Sequence, residues 1–163
     1  MAEREAAGDT GRAPEFSPRT TLWHHSGMTE QTTVAIPERL KALLDGPTFA
    51  HLTTLDSDGW PQASAIWIMR EGDRIVFNTA EGRRKWHNMR DDPMVSVSIS
   101  DPDEPYINFS IQGRVVEMRT SDGVEIIDAL ARKYLDVEKY PWLKPDMVRV
   151  TVIVEPTRIA SNA

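Results

Sequence analysis

The chain has 163 residues, the length of one domain with one core. Its formal charge is −6 and its pI about 5.2, so bulk electrostatics favour neither nucleic acid nor an anionic membrane as a partner. No cysteine is present, which removes disulfides, thiolate nucleophiles and thiolate metal sites, and no apolar run approaches the ~20 residues that span a bilayer. A soluble cytoplasmic protein is the expectation.

Residues 1–27 are rich in Ala, Gly, Pro, Arg, Glu and Thr, with Phe16, Leu22 and Trp23 isolated among them. Too little apolar surface is available there to offset the entropy of ordering, so a flexible tail is expected. No charged-then-apolar signal pattern opens the segment. The folded domain is expected over 28–163, starting near Met28, itself an alternative start, and it stays acidic without the tail.

A first helix follows, with Pro37 in its first turn, Ile36, Leu40, Leu43 and Leu44 on one face, and Gly46-Pro47 as its stop. Residues 48–56 and 61–70 read as strands around an Asp-Gly turn, and 74–80 follows after a second tight turn. Three consecutive strands with short turns predict an antiparallel meander. A short helix after Gly82 ends at Asp91-Asp92-Pro93. The next segment, 94–100, alternates apolar residues with Ser as a half-buried strand does. Residues 106–119 form a long strand with Gly113 as a candidate bulge. A helix capped by Ser121 or Asp122 carries Val124, Ile127, Leu130, Ala131 and Tyr134 in one stripe, and 147–156 is the last strand. The fold class is mainly β: a six-stranded antiparallel barrel with two or three helices packed outside it.

Where the strand over 74–80 turns into a helix stand Gly82-Arg83-Arg84-Lys85. Cations in a first helical turn oppose the helix dipole, while helix N-termini bind phosphate readily. Three cations there call for an anion, with Arg84 and Lys85 on it and Arg83 on it or on a neighbouring acid. A solvated charged face accounts for the cluster equally well until the flanking segments are added.

With those segments included, "IVFNTAEGRRKW" and the following "RDDPMVSVSI" resemble the flavin-phosphate segment of the pyridoxamine-phosphate-oxidase-like split-barrel family. "TTLDSDGWPQASAIWI" is similar to that family's first hairpin, and "NFSIQGRVVE" to its later flavin-contacting strand. The resemblance spans about residues 49–117 and implies a split barrel that binds FMN or a deazaflavin at a homodimer interface. It implies that Ser64, Ala65, Ile66 and Trp67 line the ring and that Asn78 and Thr79 lie near the phosphate or ribityl chain. Arg83, Arg84 and Lys85 would hold the phosphate, and Asn108 would approach the ring edge. Ser64 and Arg83 depart from the commoner family pattern and resemble the actinobacterial branch that uses coenzyme F-420, whose acidic tail extends beyond the phosphate. No pyridoxal-phosphate motif of the Arg-Leu-Ser type is seen near "EPTRIASNA", so pyridoxamine phosphate oxidation is not expected.

The implied function is hydride transfer between reduced F-420, or FMN, and a small conjugated substrate. No catalytic residue is assigned, because a hydride donor with a solvent-supplied proton demands no acid–base pair. A non-catalytic flavin, deazaflavin or tetrapyrrole carrier and a haem-degrading enzyme are the alternatives, the last lacking a recognisable haem histidine. His24, His25, His51 and His87 have no metal-ligand spacing, so no metal is assigned. "DSDG" reads as a hairpin turn rather than a calcium loop, because Pro61 and Trp67 occupy the positions that a calcium loop gives to Gly and Glu. Trp60 and Trp86 are expected in packing roles and Trp67 beside the ring, while Tyr140-Pro141-Trp142 either caps the pocket of a partner subunit or packs.

Overall fold

The computed structural model describes residues 34–162. The expectations for the tail over 1–27 and for a domain start near Met28 lie outside the described residues.

The chain enters pinned at two points: Val34 N–H donates to the Pro156 carbonyl and Ile36 N–H to Asp73 Oδ1, each at 3.1 Å. Helix α1 (Glu38–Asp45) buries Leu40, Leu43 and Leu44 as its periodicity predicts, and it ends where Gly46 N–H donates back to the Ala42 carbonyl. Strands β1 (Ala50–Leu55) and β2 (Pro61–Ile66) form the first hairpin. Its turn is held by Asp56 Oδ1, which accepts from the N–H groups of Asp58 and Trp60, and by Gly59 at φ +83°.

The strand expected over 61–70 is two strands, not one. Strand β3 (Ile68–Glu71) starts after a break at Trp67 and pairs with β4 (Arg74–Ala80). Helix α2 (Arg84–Asp91), β5 (Met94–Ser100), β6 (Asn108–Arg119), α3 (Gly123–Leu135) and β7 (Arg149–Ser161) complete the chain. Among the described residues the sheet therefore has seven antiparallel strands in the order β2-β1-β5-β6-β7-β4-β3, a correction to the six expected. β2 and β3 are consecutive in the chain yet form opposite edges of the sheet, so the sheet curls into a half-barrel that meets itself at Trp67.

Helix α3 supplies the physical cause of the break. The Ile68 N–H donates to Tyr134 Oη at 3.0 Å, and the Ile68 carbonyl accepts from Lys133 Nζ at 2.6 Å. Side chains thus satisfy backbone groups that a continuous ladder would have paired. Lys133 Nζ also caps the Leu44 carbonyl at the end of α1. Gly113 sits at a register shift between β6 and β7, as the bulge expectation holds. A Cβ there would lie 2.6 Å from Val154 Cγ1.

Two apolar layers result. Leu52, Ile68, Phe77, Val97, Ile111 and Val152 lie in one cluster with α1 inside the curl. Residues on the other face of β4 and β7, among them Val76 and Ile153, are buried near Ile127, Leu130 and Ala131 of α3. This second layer places the start of β7 beside the start of α3, the arrangement on which the cleft depends.

Candidate functional site: a cationic cleft at the strand break

A cleft of about 170 Å³ opens beside Trp67. Ala65, Ile66 and Trp67 line it from β2 and the break, Asn78 from β4, Arg149 from β7, and Ile127 and Leu130 from α3. Arg83 and Lys85 line it from the start of α2, and Phe49, Tyr140 and Trp142 supply aromatic walls.

The local backbone explains how the cations arrive there. Gly82 takes φ +78°, which frees the chain to turn out of β4, and Arg83 follows in extended conformation as the N-cap of α2. Arg83 is exposed, Lys85 half-buried, and Arg149 only 4 % exposed, so positive charge runs from the mouth of the cleft into the protein. Burial, then the charge of Arg83, lowers the Lys85 pKa. The Arg149 pKa is lowered chiefly by burial, against an upward pull from Tyr140, with the charge of Arg83 adding a lesser downward push. Among the described residues no acidic side chain lines the cleft. Arg39, Arg70, Arg74 and Arg119 each pair with a carboxylate, whereas among the described residues none pairs with Arg83, Lys85 or Arg149. Clustered, partly desolvated cations without counter-ions are costly, and an anion in the cleft offsets that cost.

The aromatic wall is ordered by ring contacts. Trp67 stacks on Tyr134 at 5.2 Å and 8°, and Tyr140 stands edge-on to Trp67 at 6.0 Å and to Trp142 at 5.4 Å. The Tyr140-Trp142 loop therefore packs on its own chain's cleft. Trp60, 73 % exposed on the β1–β2 turn, and Trp86, under the Arg90 guanidinium at 4.5 Å, do not line it. His87 is exposed beside the Trp86 ring.

Of the residues singled out from sequence, Ala65, Ile66, Trp67, Asn78, Arg83 and Lys85 come together in the cleft. Ser64 alternates to the opposite face of β2 from Ala65. Thr79 is fully buried, with an Oγ1 that has no hydrogen-bond partner among the described residues, and Arg84 is exposed at the first position of α2. Asn108 begins β6 away from the cleft, its Nδ2 donating to the Tyr106 carbonyl at 3.4 Å. Arg149 and Tyr140 join the cleft without having been assigned to it. A charged residue inside the apolar run "MVRVTVIVEP" was the available signal for the first.

A larger groove, about 390 Å³, runs over the outer face of β1, β5 and β6, lined by Thr53, Ser96, Gln112, Leu55, Met94 and their neighbours. Arg114 is the one charged residue in its lining among the described residues. The smaller cleft is the better candidate because it concentrates unpaired charge and aromatic surface, whereas the groove offers volume alone. No group of three or more His, Asp or Glu side chains suited to a metal occurs among the described residues.

A curled antiparallel sheet with flanking helices, and a cleft lined by basic and aromatic side chains at its edge, define a small half-barrel class of protein. The family model described as pyridoxamine 5'-phosphate oxidase matches residues 36–159, and the chain belongs to that family. Among solved structures, an F420 reductase is 30 % identical, with a TM-score of 0.69 over 77 % of this chain and 98 % of that one. A conserved hypothetical protein from Mycobacterium tuberculosis is 22 % identical at TM-score 0.63, covering 79 % of this chain and 85 % of that one. The HupZ protein of Group A Streptococcus is 18 % identical at TM-score 0.57, covering 78 % of this chain and 94 % of that one. These last two share the fold. A search of curated proteins returns no match.

Proposed function

We propose that the protein is an oxidoreductase that passes a hydride between coenzyme F-420, or FMN, and a small conjugated organic substrate. One observation carries this reading: three basic side chains without a carboxylate partner among the described residues line a cleft walled by Trp67, Tyr140 and Trp142. The donor set suits a phosphate on a flat ring. Lys85 and Arg83 hold the phosphate, the edge of β2 from Ala65 to Trp67 orients the ring, and Phe49, Ile127 and Leu130 exclude water. When bound, the ring system supplies the hydride chemistry, and the protein supplies binding, orientation and field. Arg83 at the cleft mouth suits an acidic tail longer than one phosphate, and the likeness to an F420 reductase supports F-420 over FMN.

We further propose a homodimer. Asn108 stands apart from the cleft within one chain, and the outer groove over β1, β5 and β6 offers neutral polar side chains for a second copy to cover. In the dimer the partner subunit's Asn108 approaches the ring edge.

Side-by-side titration with F-420 and FMN, followed by fluorescence quenching and then addition of a quinone or biliverdin to the reduced complex, tests the function. Binding with turnover, tighter for F-420, is the expected result. Binding without turnover makes the protein a carrier, and no binding of either ring ends the redox reading.

A further inference from the structure

We propose that Arg149 is an anion-binding residue of the cleft and that Asn78 and Tyr140 are the positioning residues that aim it. The proposal rests on reading this cleft as an anion site and not on the redox chemistry.

An arginine 4 % exposed is ordinarily neutralised by a carboxylate. Here every described contact is neutral. Nε donates to Asn78 Oδ1 at 2.7 Å, Cζ lies 5.2 Å from the centre of the Tyr140 ring, and Nη1 faces only the Met147 thioether at 3.6 Å. A guanidinium has five N–H donors, so these contacts hold one edge and one face while leaving donor capacity toward the cleft.

The supporting shell is built to keep that orientation. Asn78 Nδ2 donates to the Gly123 carbonyl at 2.8 Å, which fixes the amide so that its oxygen meets Arg149. Gly123 is required because a Cβ there would sit 2.1 Å from the Arg149 carbonyl oxygen. The start of α3 and the start of β7 thereby touch, and the Arg149 backbone is held along with its side chain. Tyr140 is fixed through its N–H to Asp128 Oδ1 at 2.8 Å and through the flanking rings of Trp67 and Trp142. Asn78 thus acts on the anion through Arg149 rather than by direct contact. A cation held this rigidly, beside a second cation and without a counter-ion, is the complement of a bound anion.

Inorganic pyrophosphate is the probe, since it carries the anionic chemistry without a ring. Calorimetric titration of the full chain should show binding that weakens on the order of 10–100-fold in Arg149→Met, the loss of a charged hydrogen bond, with partial recovery in Arg149→Lys. Asn78→Asp places a counter-ion beside Arg149, at the cost of the donor to the Gly123 carbonyl, and should weaken pyrophosphate about 10-fold in protein that still folds. A structural role alone would lower the midpoint and leave affinity unmoved. Should Arg149→Met fail to fold, Asn78→Asp decides. Wild-type protein that ignores pyrophosphate, or equal affinity in the wild type and Asn78→Asp, overturns the proposal. Pyrophosphate binding that depends on Arg149, with no binding of F-420 or FMN, overturns the redox reading and leaves this one standing. Ring binding indifferent to both Arg149 and Asn78 does the reverse.

Discussion

Arg84 and Lys85 are neighbours in sequence, but their surroundings differ. Lys85 is half-buried in the cleft lining, and burial followed by the Arg83 charge depresses its pKa. Arg84 is exposed at the head of α2 and is not among the residues that line the cleft. Lys85→Ala is therefore expected to cost about 1.5–3 kcal/mol in cofactor binding, as a charged hydrogen bond does, and Arg84→Ala under about 1 kcal/mol, as exposed charges do. Equilibrium titration of both variants checks the order, and equal losses would place the phosphate outside the cleft. Composition had made the Gly82–Lys85 cluster legible because its members are adjacent in sequence. Arg149 lies far along the chain, and only the contact between α3 and β7 brings it to the same cleft.

The last turns of α3 decide the topology of the sheet. Ile66-Trp67-Ile68 is a run of strand-forming residues, so local propensity predicts one strand over 61–70. Tyr134 and Lys133 instead bind the Ile68 backbone, and that tertiary contact overrides propensity. Elements were thus legible where their own residues set them, as in α1, the Gly59 turn and the Gly113 bulge, and illegible where a distant helix broke a strand. Burial depresses the Lys133 pKa to about 8, against a smaller upward pull from Asp45. Above that value the folded state binds fewer protons than the unfolded chain, so stability rises with pH from about 8 toward the ordinary lysine range. Tyr134, whose pKa burial raises, opposes the trend once an unfolded tyrosine begins to ionise. Urea unfolding across this window should show the rise in the wild type and a flatter profile in Lys133→Met. An unchanged slope would mean that Lys133 is not the titrating group.

At the scale of the whole molecule, one curled sheet brings its two edges together at Trp67 and places the aromatic wall and the cations within a single cleft. The family was legible from the segments around β4 and α2, and the match over residues 36–159 bears it out. Seven strands and the cleft's third cation were not legible, because both depend on which elements meet rather than on any local pattern. The most direct measurement is a crystal structure with F-420 or FMN bound. The account predicts phosphate oxygens within hydrogen-bond distance of Lys85 and Arg83 and a ring lying along Ala65 to Trp67. A cofactor bound elsewhere, with those side chains contacting only protein and solvent, would contradict it.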